Sequence, residues 1–218
     1  MLDWGRFWRR LGLLVVFYLL VAVPFCRFIF LEGMSTLRPV EILVPVWGLF
    51  FGPAGCLVCG LGNLLFDFLG DCLSWASIGG LIANGLSPFV FVLAWYWLGK
   101  SECRLDSWQD LARFWTAVVL EAAFVLAVIS PIVVLWYGFP LWPMCESVLC
   151  SNVALVCMVS PGLVIFLREC CGMDEWHWWG AEIRPHGLSA FQRRVCWFSG
   201  GAFVIFMLGI LATVFLGK

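Results

Sequence analysis

The chain has 218 residues, 63% hydrophobic and 12% charged, with a formal net charge of −1. Soluble domains carry about 25% charged residues, and a water-soluble fold of this length cannot hide so much apolar surface. The composition specifies an all-α, polytopic transmembrane helical bundle in a single integral membrane domain, residues 1–218. It excludes nucleic acid as a partner, because no basic tract is dense enough.

The N-terminus carries Arg6, Arg9 and Arg10 ahead of an apolar run. That order resembles a secretory leader, but bulky Phe25 stands where a small residue would be needed for cleavage. Residues 11–30 read as a retained first span of about 20 residues. Residues 39–71 are too long for one span and short for two. Their middle reads Phe50-Phe51-Gly52-Pro53-Ala54-Gly55, which breaks a helix because proline lacks the ladder donor and glycine weakens it. The expected result is a tight pair of short spans, 39–51 and 53–70, hinged at Gly52-Pro53. Further spans follow at about 78–98, 114–136, 147–167 and 195–217. The count is six to seven.

Charge placement favours seven. Positive residues stay cytoplasmic. With a hairpin at Gly52-Pro53, every basic loop falls on one side, and ten of the 13 basic residues are cytoplasmic; Arg27, Arg38 and Lys218 are the exceptions. The expected location is the bacterial inner (plasma) membrane, multi-pass, with the N-terminus cytoplasmic. Lipid is then the first partner.

Polar side chains inside apolar sequence are expensive and mark a cavity or an ion partner. Asn63, Asp67 and Asp71 are spaced four apart and share one face of the third helix. Arg38 and Glu41 begin the second helix at the same outer level, and Asn84 lies in the outer half of the fourth. These six are the expected substrate-binding residues, lining one polar cavity open to the outside. The alternative is a structural cluster in which Arg38 pairs with Asp67 or Asp71 and caps the bundle.

Other features carry less. Glu121 stands alone in the fifth helix and partners either Arg113 or a neighbouring helix. A proton relay would need a second acid at its depth, and its own helix has none. Gly48-Leu49-Phe50-Phe51-Gly52 is a small-xxx-small pattern that lets helices approach closely. The eleven cysteines sit mostly in apolar runs, where a thiol packs as a small hydrophobe. Cys56 and Cys59 form a CxxC, with Cys145 and Cys150 as a possible outer pair. A membrane thiol oxidoreductase would use such pairs, but nothing brings the two sets together. Zinc lacks two further ligands. Trp176-His177-Trp178-Trp179 is an interfacial signature. His177 and His186, with Glu182 between them, do not form a metal site. No catalytic group, metal or cofactor is expected, and no enzyme activity.

The run Leu37-Arg38-Pro39-Val40-Glu41, with Gly48, Gly52-Pro53-Ala54-Gly55, Gly62-Asn63-Leu64-Leu65-Phe66-Asp67, Gly70-Asp71 and Ile78-Gly79-Gly80-Leu81-Ile82-Ala83-Asn84, resembles the substrate-capture (S) components of energy-coupling factor (ECF) transporters. The resemblance covers residues 37–99. It implies about six helices, capture of a vitamin-like or other micronutrient from outside, and import energised by a transmembrane coupling protein and ATPase subunits. The seventh helix is extra to that pattern. No Gly-x-x-x-x-Gly-Lys loop occurs, so active transport would draw its energy from partner chains or an ion gradient. The rival reading is a non-transport membrane sensor or scaffold.

Overall fold

The computed structural model describes residues 4–25, 29–31, 35–36, 38–99, 104–138, 140–173 and 187–216. The first helix, α1, spans Trp4–Ala22 and tightens into a 3₁₀ turn at Val23–Phe25. It starts earlier and ends earlier than the run 11–30. Pro24 has no backbone donor for the ladder, so the helix stops there. Ile29 and Phe30, expected to be helical, instead lie in a short antiparallel ribbon, Ile29–Leu31 against Ser35–Thr36.

The short helix α2, Pro39–Phe51, is the axis of the bundle. It begins as 3₁₀, passes through one α turn and ends as a π turn. Every residue from Val44 to Phe50 is buried. A helix apolar on all sides must be covered on all sides. On one side, Val46, Leu49 and Phe50 join Phe91, Trp95, Phe114, Val118 and Val164 from later helices. On the other, Val40 and Trp47 meet Leu11, Tyr18, Val58 and Phe66.

The expected hinge is where the sequence puts it. Gly52 adopts φ 52, ψ −126, and Pro53 opens α3, Pro53–Leu69. Positive φ is cheap only for glycine, and proline suits a first helical position. The return is so tight that a Cβ on Gly55 would lie 2.1 Å from the Trp47 carbonyl oxygen. Gly48 faces α4 rather than its own hairpin, with a built Cβ 2.4 Å from the Pro88 carbonyl oxygen. The small-xxx-small pattern thus divides its labour: Gly48 permits helix contact and Gly52 makes the turn.

α4 spans Trp75–Trp97, and Ser74 and Ser77 form a reciprocal cap at its start. α5 spans Trp108–Trp136, capped by the Ser107 hydroxyl, which accepts from the Asp110 amide. It begins six residues before the expected 114, so Arg113 lies inside a helix. Pro131 is followed by a π turn that re-seats the carbonyls the proline leaves free. α6 runs Leu141–Cys170, 30 residues against the expected 147–167. Pro143 falls in its first turn, where a missing donor costs nothing, so the outer loop shrinks. α7, Ala190–Leu216, packs chiefly along α6, where the Gly162 amide donates to Ser199 Oγ at 3.2 Å.

Among the described residues, five helices are long and apolar enough to cross a membrane, and the hairpin α2–α3 adds two shorter apolar ones. Large apolar side chains point outward all around, including Leu13, Leu20, Phe68, Phe89, Leu135, Trp197 and Ile205. Lipid tolerates such a surface and water does not. The chain is a helical membrane protein.

Candidate functional site

Three of the expected residues meet at one end of the hairpin. Arg38 immediately precedes α2, and Asn63 and Asp67 lie one turn apart on α3. An Arg38 guanidinium nitrogen donates to Asn63 Oδ1. The other terminal nitrogen lies 3.4 Å from Asp67 Oδ1. The guanidinium carbon sits 5.4 Å from the centre of the Phe66 ring, a cation–π distance. Glu41, one turn into α2, is buried and within electrostatic reach of Arg38. Its amide donates to the Arg38 carbonyl at 3.1 Å.

Asn84 joins from α4. Its Nδ2 donates to the Gly80 carbonyl at 3.0 Å. Asn63 meets α4 at the same spot, since a Cβ on Gly80 would lie 2.6 Å from Asn63 Nδ2 and 3.8 Å from Asn84 Nδ2. Asn63 is 1% exposed, and its Nδ2 has no hydrogen-bond partner. The Arg38 bond fixes which end of the amide is oxygen, so this is an unspent donor inside the protein.

Asp71 does not belong to the cluster. α3 stops at Leu69, and Asp71 sits exposed in the following turn at φ 57. The four-residue spacing places residues on one face only while the helix lasts, and a short polar side chain tolerates this left-handed turn.

The expected open cavity is also absent from this arrangement. Tyr18, Ala22, Arg38, Val40 and Phe66 enclose a space with no room for a water molecule. Arg38 itself fills it. The larger spaces lie elsewhere. A groove of about 810 Å³ runs between the hairpin and α4, past Gly52, Cys56, Gly60 and Gly85. A second of about 540 Å³ lies between α1, α2, α6 and α7. Both are almost wholly apolar, so neither has the convergent polar groups that orient a solute.

Glu121 accepts from the Ser87 hydroxyl of α4, and both residues are buried. Arg113 is not its partner; that guanidinium lies 3.2 Å from Asp110. A second acid does reach Glu121, but from another helix: Glu41 is within its electrostatic range. Sequence reasoning confined to one helix could not find it. Ser87→Ala leaves the carboxyl buried without its donor and should destabilise the protein by about 1–3 kcal/mol. Adding Glu121→Leu to that variant should recover most of the loss, because an apolar replacement of a buried polar pair is close to neutral. Thermal melting in nanodiscs reads both.

Tyr18 was also missed. Its ring lies against Gly62, where a Cβ would come within 2.5 Å, and it is within electrostatic reach of Glu41, Arg38 and Asp67. The available signal was a lone hydroxyl in the apolar run of α1.

The nine described cysteines are free thiols, among them Cys56, Cys59, Cys145 and Cys150. Among the described residues no three His, Cys, Asp or Glu side chains group to hold a metal ion. Cys103, the Trp176–Trp179 motif, His177, Glu182 and His186 lie outside the described residues. No protein-family model, curated protein or solved structure matches the chain.

Proposed function

We propose that this chain captures a small solute at the outer end of its hairpin and passes it to partner subunits that energise import. The observation that carries this reading is the convergence of Arg38, Asn63, Asp67 and Phe66, with a buried Asn63 donor left unspent. A cluster serving stability alone would use that donor, because an unmade buried hydrogen bond costs about 1–3 kcal/mol. The residues involved are also those that carry the resemblance to ECF substrate-capture components. The chain supplies no nucleotide-binding loop of its own, so a coupling protein and ATPase subunits are the partners this reading requires.

In this reading α2 and α3 cross as a short pair and the bundle has seven spans, with the N-terminus cytoplasmic. The Arg38 end of the hairpin then faces outward. Impermeant maleimide added to intact cells should leave Cys170 and Cys171 unlabelled, along with Cys103. Labelling of these thiols would reverse the orientation and place the site on the wrong side for uptake.

The capture reading is tested by native mass spectrometry of protein purified in mild detergent. A stoichiometric small molecule should accompany the wild-type chain. Repeated absence of any bound solute, from cells grown in rich medium, would favour the scaffold reading instead.

A further inference from the structure

The geometry points to a cationic solute, bound in the place Arg38 now occupies. This rests on the capture reading and adds the ligand's chemical class.

Arg38 closes the site as a built-in stand-in for a ligand. Its guanidinium lies over the face of Phe66, 3.4 Å from Asp67 Oδ1, and donates to Asn63 Oδ1. A carboxylate, an amide oxygen and an aromatic face are the parts that recognise an ammonium, amidinium or guanidinium group. The space under it, walled by Tyr18, Ala22, Val40 and Phe66, is filled by this one side chain.

Charge balance favours the same class. Asp67 and Glu41 are both buried beside Arg38, and Glu121 lies within electrostatic reach of Glu41. Arg38 is the one described Lys or Arg in contact with these acids. A buried acid-rich site gains more from admitting a cation than from admitting an anion. The aromatic and neutral neighbours, Tyr18, Phe66, Asn63, Asn84 and Ser87, add no further positive charge.

Arg38 can leave. Its side chain keeps 28% of its surface exposed, whereas that of Asp67 keeps 9%. The long arginine stem lets the head swing outward into water while the acids stay behind. The entering cation then takes up Asp67, Asn63 Oδ1 and the Phe66 face. The unpartnered Asn63 Nδ2 is a donor on the same buried amide. It suits a solute that carries an acceptor atom next to its cationic nitrogen.

The test compares benzylammonium, benzoate and benzyl alcohol as probes, at constant ionic strength, by thermal shift of the full chain in nanodiscs. Benzylammonium should raise the melting temperature of the wild type, and benzoate and benzyl alcohol should not. Arg38→Gln removes the internal competitor and should tighten benzylammonium binding by about tenfold, since apparent affinity scales with the fraction of open sites. Should Arg38→Gln fail to fold, the double variant Arg38→Gln/Glu41→Gln restores the local charge balance and is measured instead. Stabilisation by benzoate that disappears in Arg38→Gln would overturn the proposal, because Arg38 would then be an anion ligand. Benzylammonium binding that weakens without Arg38, or no response to benzylammonium in any variant, would overturn it as well. The capture reading is judged separately: a co-purified neutral or anionic solute would preserve capture and sink the cationic class.

Discussion

Gly55→Val should yield no correctly folded protein. A Cβ at this position would meet the Trp47 carbonyl oxygen at 2.1 Å, with the Trp47 carbonyl carbon at 2.6 Å and Cα at 2.9 Å. These are backbone atoms of the preceding helix, so no rotamer change relieves the clash. Overpacking a core where side chains can shift costs typically about 1–3 kcal/mol. Here the hairpin itself must open, so the cost should exceed that range. The damage would spread, because α2 is buried throughout and carries both hydrophobic clusters on its flanks. Gly200→Ala is the matched control, since a Cβ there meets nothing within 4 Å. Size-exclusion profiles and melting temperatures of the two variants check the contrast. A Gly55→Val protein that elutes and melts like the wild type would mean that α2 and α3 do not return on each other as described.

The hairpin was legible in the sequence because its signals are local. Gly52 and Pro53 act on their own backbone, and the apolar runs on either side are too short to be one span each of ordinary length. The Arg38–Asp67 pairing was legible for a related reason: an isolated cation and an acid at the same expected depth have few other partners. The helix ends were less legible. Hydropathy marks where lipid begins, whereas the helices of α5 and α6 continue into capped or proline-led turns beyond it. Asp71 was misplaced because periodicity was extended past Leu69, the last residue that keeps it. The Ser87–Glu121 bond and the approach of Glu41 to Glu121 join three different helices. Such contacts depend on how the helices rotate against each other, and no spacing within a single helix encodes that. Tyr18 belongs to the same class, fitted to Gly62 across α1 and α3.

Asp67→Ala should abolish solute binding while leaving a folded protein, and the two halves of that expectation rest on different contacts. Binding depends on the carboxylate because it is the charged acceptor in the Arg38–Asn63–Phe66 group. A charge-assisted contact of this kind is about twice as strong as a neutral one, and alanine offers no acceptor in its place. Folding depends on it less. Removing one member of a fully buried pair costs about 3–5 kcal/mol, but Arg38 is 28% exposed on its side chain and can turn to water. The loss is discounted accordingly, to about 1 kcal/mol, as for partly exposed pairs. The remaining contacts of α3 with α1 and α4, at Gly62 and Gly60, do not involve Asp67. The experiment measures melting temperature and bound solute on the same preparations of wild type, Asp67→Asn and Asp67→Ala. The expected order is full, reduced and absent binding, with melting temperatures of the solute-free proteins close together. If Asp67→Ala instead fails to fold while Asp67→Asn behaves normally, the group is a structural clamp on the hairpin. If Asp67→Ala binds solute as well as the wild type, the solute sits elsewhere in the bundle, and the two apolar grooves become the places to look.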